Sequence, residues 1–187
     1  MVEHINTAVS SFYSHRSRCG SSYARGVRIL GGLGERPERL ARHKTHMGFN
    51  QEAYDAECAA IVRALDLAAE RQQRWRRLEK VTVFTDAQAA ITRMQTCEVG
   101  LGQRYALRAR EALARIKAPV EIRWCPAHEG IEGNEIADGW AKLAADEPDS
   151  HGVEWLRHSD KYGGRRMSLP ASLAHLKRRI SEKKWTV

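Results

Sequence analysis

The order of apolar patterns along this 187-residue chain constrains its fold more than any other feature. Three strand-like segments come first, near Ala8 to Ser14, Tyr23 to Leu30 and Leu40 to His46, with a Gly31-Gly32-Leu33-Gly34 turn and Pro37 before the third. A helical period then runs from about Glu52 to Gln73, and the β-branched and aromatic run Lys80 to Thr85 reads as a fourth strand. A helix is predicted from Ala87 to Gln95, and a second near Gln103 to Ile116, with Tyr105, Ala109, Ala112, Leu113 and Ile116 on one side. Pro119 opens a fifth strand, Val120 to Trp124, and a last core helix spans about Gly133 to Ala145. Three consecutive strands followed by alternating helices and strands predict an α/β domain with a five-stranded mixed sheet and helices on both faces.

Within that frame three carboxylates stand out. Asp138 shares a helical stripe with Asn134, Ala141 and Ala145, because residues three, four and seven apart lie on one face. A charge set among small neighbours needs a partner or a metal ion. Glu57 has apolar face-mates in Ala60, Ile61 and Ala64, which turns it inward. Asp86 ends a predicted buried strand, where open α/β sheets keep their sites. Several acids aimed at one point make an oxygen-rich site for a hard divalent cation. Read singly, each has a plainer explanation: Asp86 as a helix N-cap, Glu57 as a glutamate snorkelling from a helix edge, Asp138 paired with a base, Asn134 as a cap.

The chain order of these pieces resembles the ribonuclease H family, and specifically the ribonuclease H domains of retroelement reverse transcriptases of the non-LTR type. The matching parts are the Glu57 helix, the Thr85-Asp86-Ala87-Gln88 turn and the block His128-x-Gly130-x-x-x-Asn134-Glu135-x-Ala137-Asp138. The resemblance implies hydrolysis of the RNA strand of RNA–DNA hybrids with two Mg2+ (or Mn2+) ions. It implies Glu57, Asp86 and Asp138 as metal ligands, His128 as a group that moves protons or assists product release, and Gln88 and Asn134 as nucleic-acid contacts. Such chemistry needs an activated water on one side of phosphorus and a stabilised leaving oxygen on the other, which two cations about 4 Å apart provide.

One expected piece is altered. The family begins with a strand ending in an aspartate followed by Gly-Ser, and the counterpart here is Ser11-Phe12-Tyr13-Ser14-His15-Arg16-Ser17, which puts His15 at the aspartate. No acid lies between Glu3 and Glu35 to replace it. Imidazole cannot bridge two Mg2+ ions as a carboxylate does, so impaired hydrolysis is expected. The alternatives are a catalytically inactive module that binds RNA–DNA hybrids or RNA, and a protein-interaction scaffold derived from a retroelement.

Composition agrees with a globular nucleic-acid partner. With 42% hydrophobic and 29% charged residues the chain can bury one core, and a net charge of +8 favours a polyanion. Cys19, Cys58, Cys97 and Cys125 form no C-x-x-C pair, which argues against a disulfide framework or a zinc ribbon. No signal-type segment and no membrane-length apolar run is present, so an intracellular location, cytoplasmic or nuclear, is expected with no membrane partner.

The final segment differs in character. Residues 1–147 form the expected ribonuclease H-like domain, Glu147-Pro148-Asp149-Ser150 reads as a linker, and 148–187 is a basic extension. From His151 onward nine Lys or Arg face three acids. Ser168-Leu169-Pro170 is the expected helix start, and Leu169, Leu173, Leu176 and Ile180 follow at helical spacing, predicting a helix near 170–184 packed on the core with its basic face in solvent. The resemblance further suggests a place within a reverse transcriptase polyprotein.

Overall fold

The computed structural model describes residues 3–14, 22–30, 42–47, 50–73, 78–126, 129, 134–139, 141 and 171–184. His15, His128, Ala145, the Gly31–Gly34 turn, the linker at 147–150 and the segment Ser168–Pro170 lie outside the described residues. The strands are β1 (Glu3–Ser14), β2 (Ser22–Leu30), β3 (Arg42–His46), β4 (Leu78–Thr85) and β5 (Val120–Trp124). The helices are α1 (Ala53–Gln72), α2 (Gln88–Gln95), α3 (Gln103–Arg115), α4 (134–139) and α5 (Leu173–Lys184).

The strands form one sheet in the order β3-β2-β1-β4-β5. β1 pairs antiparallel with β2 and β2 with β3, while β4 runs parallel to both β1 and β5. β1 starts five residues before the expected Ala8 because the ladder to β4 begins at Glu3↔Leu78 and carries polar His4 and Asn6 with it. Backbone pairing, not side-chain polarity, sets that boundary.

α1 supplies most of the core. Its alanine-rich sequence has no Gly or Pro from 53 to 72, which favours a long helix. Ala56, Cys58, Ala59, Ala60, Ile61, Ala64, Leu65 and Ala68 are fully buried, joined by Val81 and Val83 of β4 and Tyr105 of α3. At the start of α1 the Asp55 carboxylate accepts the backbone N–H of Glu52 at 3.0 Å, one arm of a capping box. α3 begins at Gly102, whose φ of +69° suits glycine. A Cβ there would stand 3.1 Å from Cε1 of Tyr54.

The tail helix corrects two expectations. α5 begins at Leu173, later than the Ser168 start, because Ser172 caps it: its Oγ accepts His175 N–H at 3.1 Å. The helix also meets the core with its polar side. Ser172 Oγ donates to Asp55 Oδ2 at 2.6 Å, Ser172 N–H donates to the Asn50 carbonyl at 2.9 Å, and Glu52 Oε1 binds His175 Nδ1 at 2.8 Å and accepts from Arg178 Nε at 2.7 Å. Leu173, Leu176 and Ile180, the stripe expected to pack inward, are 54, 45 and 59% exposed. The acids at the head of α1 offer this helix charge-assisted hydrogen bonds, and those decide which face docks.

Candidate active site

β4 carries the site to the sheet's carboxyl edge. Val81 and Val83 are buried completely, Thr82 and Thr85 nearly so, as expected of an inner strand covered on both faces. At its end Thr85 turns the chain: its carbonyl accepts Cys125 N–H at 2.9 Å and its Oγ1 accepts Ala87 N–H at 3.2 Å. Asp86 follows directly and is partly buried. The plainer reading of Asp86 as a helix cap gives way, since Ala87 is the N-cap of α2. The indole N–H of Trp124, itself half exposed, donates to the Asp86 carbonyl at 3.2 Å and ties the end of β5 to that turn.

Cys125 links Asp86 to α4. The thiol is 5% exposed and its pKa is raised, first by burial and then by the negative charge of Asp86. Its Sγ lies 3.8 Å from Asn134 Oδ1. Asn134 and Asp138 are 2% and 6% exposed, one helical turn apart, with Ala137 and Ala141 fully buried beside them and Glu135 facing solvent. The predicted stripe of Asp138, Asn134 and Ala141 is therefore an inward face.

Glu57 is partly buried on α1, among buried Ala60, Ile61 and Ala64. Its charge is one of those felt by Cys58, whose thiol is pushed up to about 12, mainly by burial. α1 lies across β1, β2 and β4. Gln88 opens α2 and is exposed.

The donor set is all oxygen, which suits Mg2+ or Mn2+. The geometry is looser than the sequence leads one to expect. Among the described residues no group of three or more His, Cys, Asp or Glu side chains could hold a metal ion, so Glu57, Asp86 and Asp138 form no closed ligand cluster. In the sheet, Asp86 lies between two neutral positions. Cys125 is on the β5 side, and on the β1 side Ser10 lies one step past the last registered pair, Val9↔Thr85. Sequence reasoning passed over Cys125, Trp124 and Ser10. The Trp-Cys pair at the end of β5 was a usable signal, since residues leaving a parallel strand reach the same edge as Asp86.

A family model for RNase H matches residues 20–146. The chain belongs to the RNase H family. β1 lies ahead of the matched stretch. No curated protein matches the sequence. Among solved structures, RNase H1 from the halophilic archaeon Halobacterium salinarum superposes with a TM-score of 0.58 at 22% identity, covering 76% of this chain and 98% of that one. LC9-RNase H1, a type 1 RNase H with the type 2 active-site motif, gives 0.56 at 17% identity over 92% of this chain and 89% of that one. The N-terminal RNase H domain of a Mycobacterium tuberculosis protein, solved as a fusion with maltose-binding protein, gives 0.52 at 13%, covering 76% and 97%. These likenesses show the RNase H fold. Among the described residues no helix is long and apolar enough to cross a membrane.

Proposed function

We propose that this RNase H domain hydrolyses the RNA strand of RNA–DNA hybrids with divalent-cation assistance, and does so weakly. Family membership supports the reaction class, and one observation carries the site. A nearly buried carboxylate, Asp138, shares its helix face with Asn134, which reaches through Cys125 to the strand end bearing Asp86. In this reading Glu57, Asp86 and Asp138 supply the oxygen donors. Bound Mg2+ or Mn2+ would supply water activation and charge neutralisation at the leaving oxygen. His128 would accept or release a proton near neutral pH. Gln88, exposed at the head of α2, and Asn134 would contact the nucleic acid, and the minor groove with its 2′-hydroxyls would distinguish the RNA strand.

The weakness follows from the first strand, where no acid stands between Glu3 and Glu35 and the family alignment puts His15 at the aspartate. Kinship with retroelement reverse transcriptases, and a place in such a polyprotein, are supported by the Asn134-to-Asp138 block and the basic extension. The test is cleavage of an end-labelled hybrid. Slow cleavage in Mg2+, faster in Mn2+ and lost in Asp138→Asn, is expected; cleavage unaffected by Asp138→Asn would refute the assignment. Binding without hydrolysis is the second reading, favoured by the same acid-free strand. It predicts steeply salt-dependent hybrid binding with the hybrid left intact in either cation.

A further inference from the structure

The sheet register locates the deficit in the site more closely than sequence alignment does. β1 and β4 run parallel in continuous register from His4↔Lys80 to Val9↔Thr85. The next residue on β4's side is Asp86, and the next on β1's side is Ser10, still in strand and paired with Gly26 of β2. Register neighbours on adjacent strands fall on one face, with backbones about 4.8 Å apart, so a pair of acids at these two positions could share a cation. Ser14, where the described strand ends, is four positions further on, roughly 13 Å along an extended chain. On the other flank of Asp86 stands Cys125, a buried and neutral thiol.

We propose that Ser10 occupies the position at which this site lacks its second strand-end acid, so that the residue at 10, rather than at 15, sets how tightly the Asp86 edge captures a divalent cation. The inference rests on the reading of Asp86 as a cation ligand. A serine hydroxyl is a neutral donor that adds no charge to an ion; a carboxylate there would place two negative groups at neighbouring register positions on the sheet's carboxyl edge.

The experiment compares the full chain with Ser10→Asp, Ser10→Asn and His15→Asp, using Mn2+ alone as the probe and reading bound against free ion by electron paramagnetic resonance. Ser10→Asp is expected to tighten Mn2+ binding by roughly tenfold or more, since charge count tunes such sites. Ser10→Asn, close in size and neutral, and His15→Asp are expected to leave it within about twofold of wild type. Equal gains from His15→Asp, or none from Ser10→Asp, would overturn the inference. If an acid on this strand prevents folding, Ser10→Cys with Cd2+ replaces it. Thiolate-to-cadmium absorption that is lost in Ser10→Cys/Asp86→Asn supports the placement, and absorption indifferent to Asp86→Asn overturns it. Hybrid cleavage is read in parallel: tighter Mn2+ binding by Ser10→Asp without cleavage keeps the placement and refutes the hydrolytic reading instead.

Discussion

Replacing Ser172 by alanine isolates the docking of α5 from the rest of the fold. The hydroxyl does two jobs, capping α5 by accepting His175 N–H at 3.1 Å and donating to the Asp55 carboxylate at 2.6 Å. Losing an N-cap costs about 1 kcal/mol, and a hydrogen bond to a charged acceptor contributes about 1.5 kcal/mol. Asp55 keeps the N–H of Glu52, and Ser172 is only partly buried, so the two together come to about 2 kcal/mol, or a factor of roughly thirty in an opening equilibrium. The loss falls on α5 alone, because His175 and Arg178 still hold Glu52 and the α1 core is untouched. Native-state hydrogen exchange read by mass spectrometry on peptides covering 173–184 and 53–72 measures it. Faster exchange in the tail, unchanged exchange in α1, and recovery in Ser172→Thr are expected. A change of less than about threefold in the tail, or equal loosening of α1, would refute the assignment of the cap and its carboxylate bond as the anchor.

Two further outcomes concern the core. Because the Cys58 thiol is pushed up to about 12 from 9.0, it stays protonated in the folded chain where the unfolded chain has lost its proton; the unfolded state then binds fewer protons and stability falls as pH rises above 9. The stability difference between the natural chain and Cys58→Ala, read as urea midpoints, is expected to narrow over that range, and a constant difference would count against the assignment. At Gly102 the positive φ and the Tyr54 ring 3.1 Å from a would-be Cβ make Gly102→Ala destabilising by more than about 1 kcal/mol, checked by the same denaturation; a neutral result would mean that the turn can rearrange.

The fold was legible where local pattern decides it. α1 and β5 follow from alanine-rich helical periodicity and from the short run after Pro119, and the structure keeps Val120–Trp124 unchanged. The stripe of Asn134, Asp138 and Ala141 was readable because a helix repeats its faces every three to four residues, and its burial follows. What the sequence could not show is non-local. The level of Ser10 against Asp86 depends on how two strands slide past each other, which their residues do not encode one strand at a time. Cys125 reaches Asn134 only because β5 lies beside β4. The docked face of α5 was misjudged because periodicity identifies an apolar stripe without saying what it meets, and Glu52 with Asp55 present acids where a hydrophobic groove was assumed.

Strand order has a kinetic consequence. The parallel β1–β4 pair stands at the middle of the sheet and joins Val9 to Thr85, 76 positions apart, while the β1–β2–β3 meander closes over short spans. Loop-closure entropy rises only with the logarithm of span, yet it must be overcome before the sheet's two halves meet, and parallel pairings of high contact order form late. A nascent chain can thus assemble its amino-terminal meander early but keeps one long edge of β1 unsatisfied until Leu78–Thr85 arrives, an interval in which that edge is open to pairing with other chains.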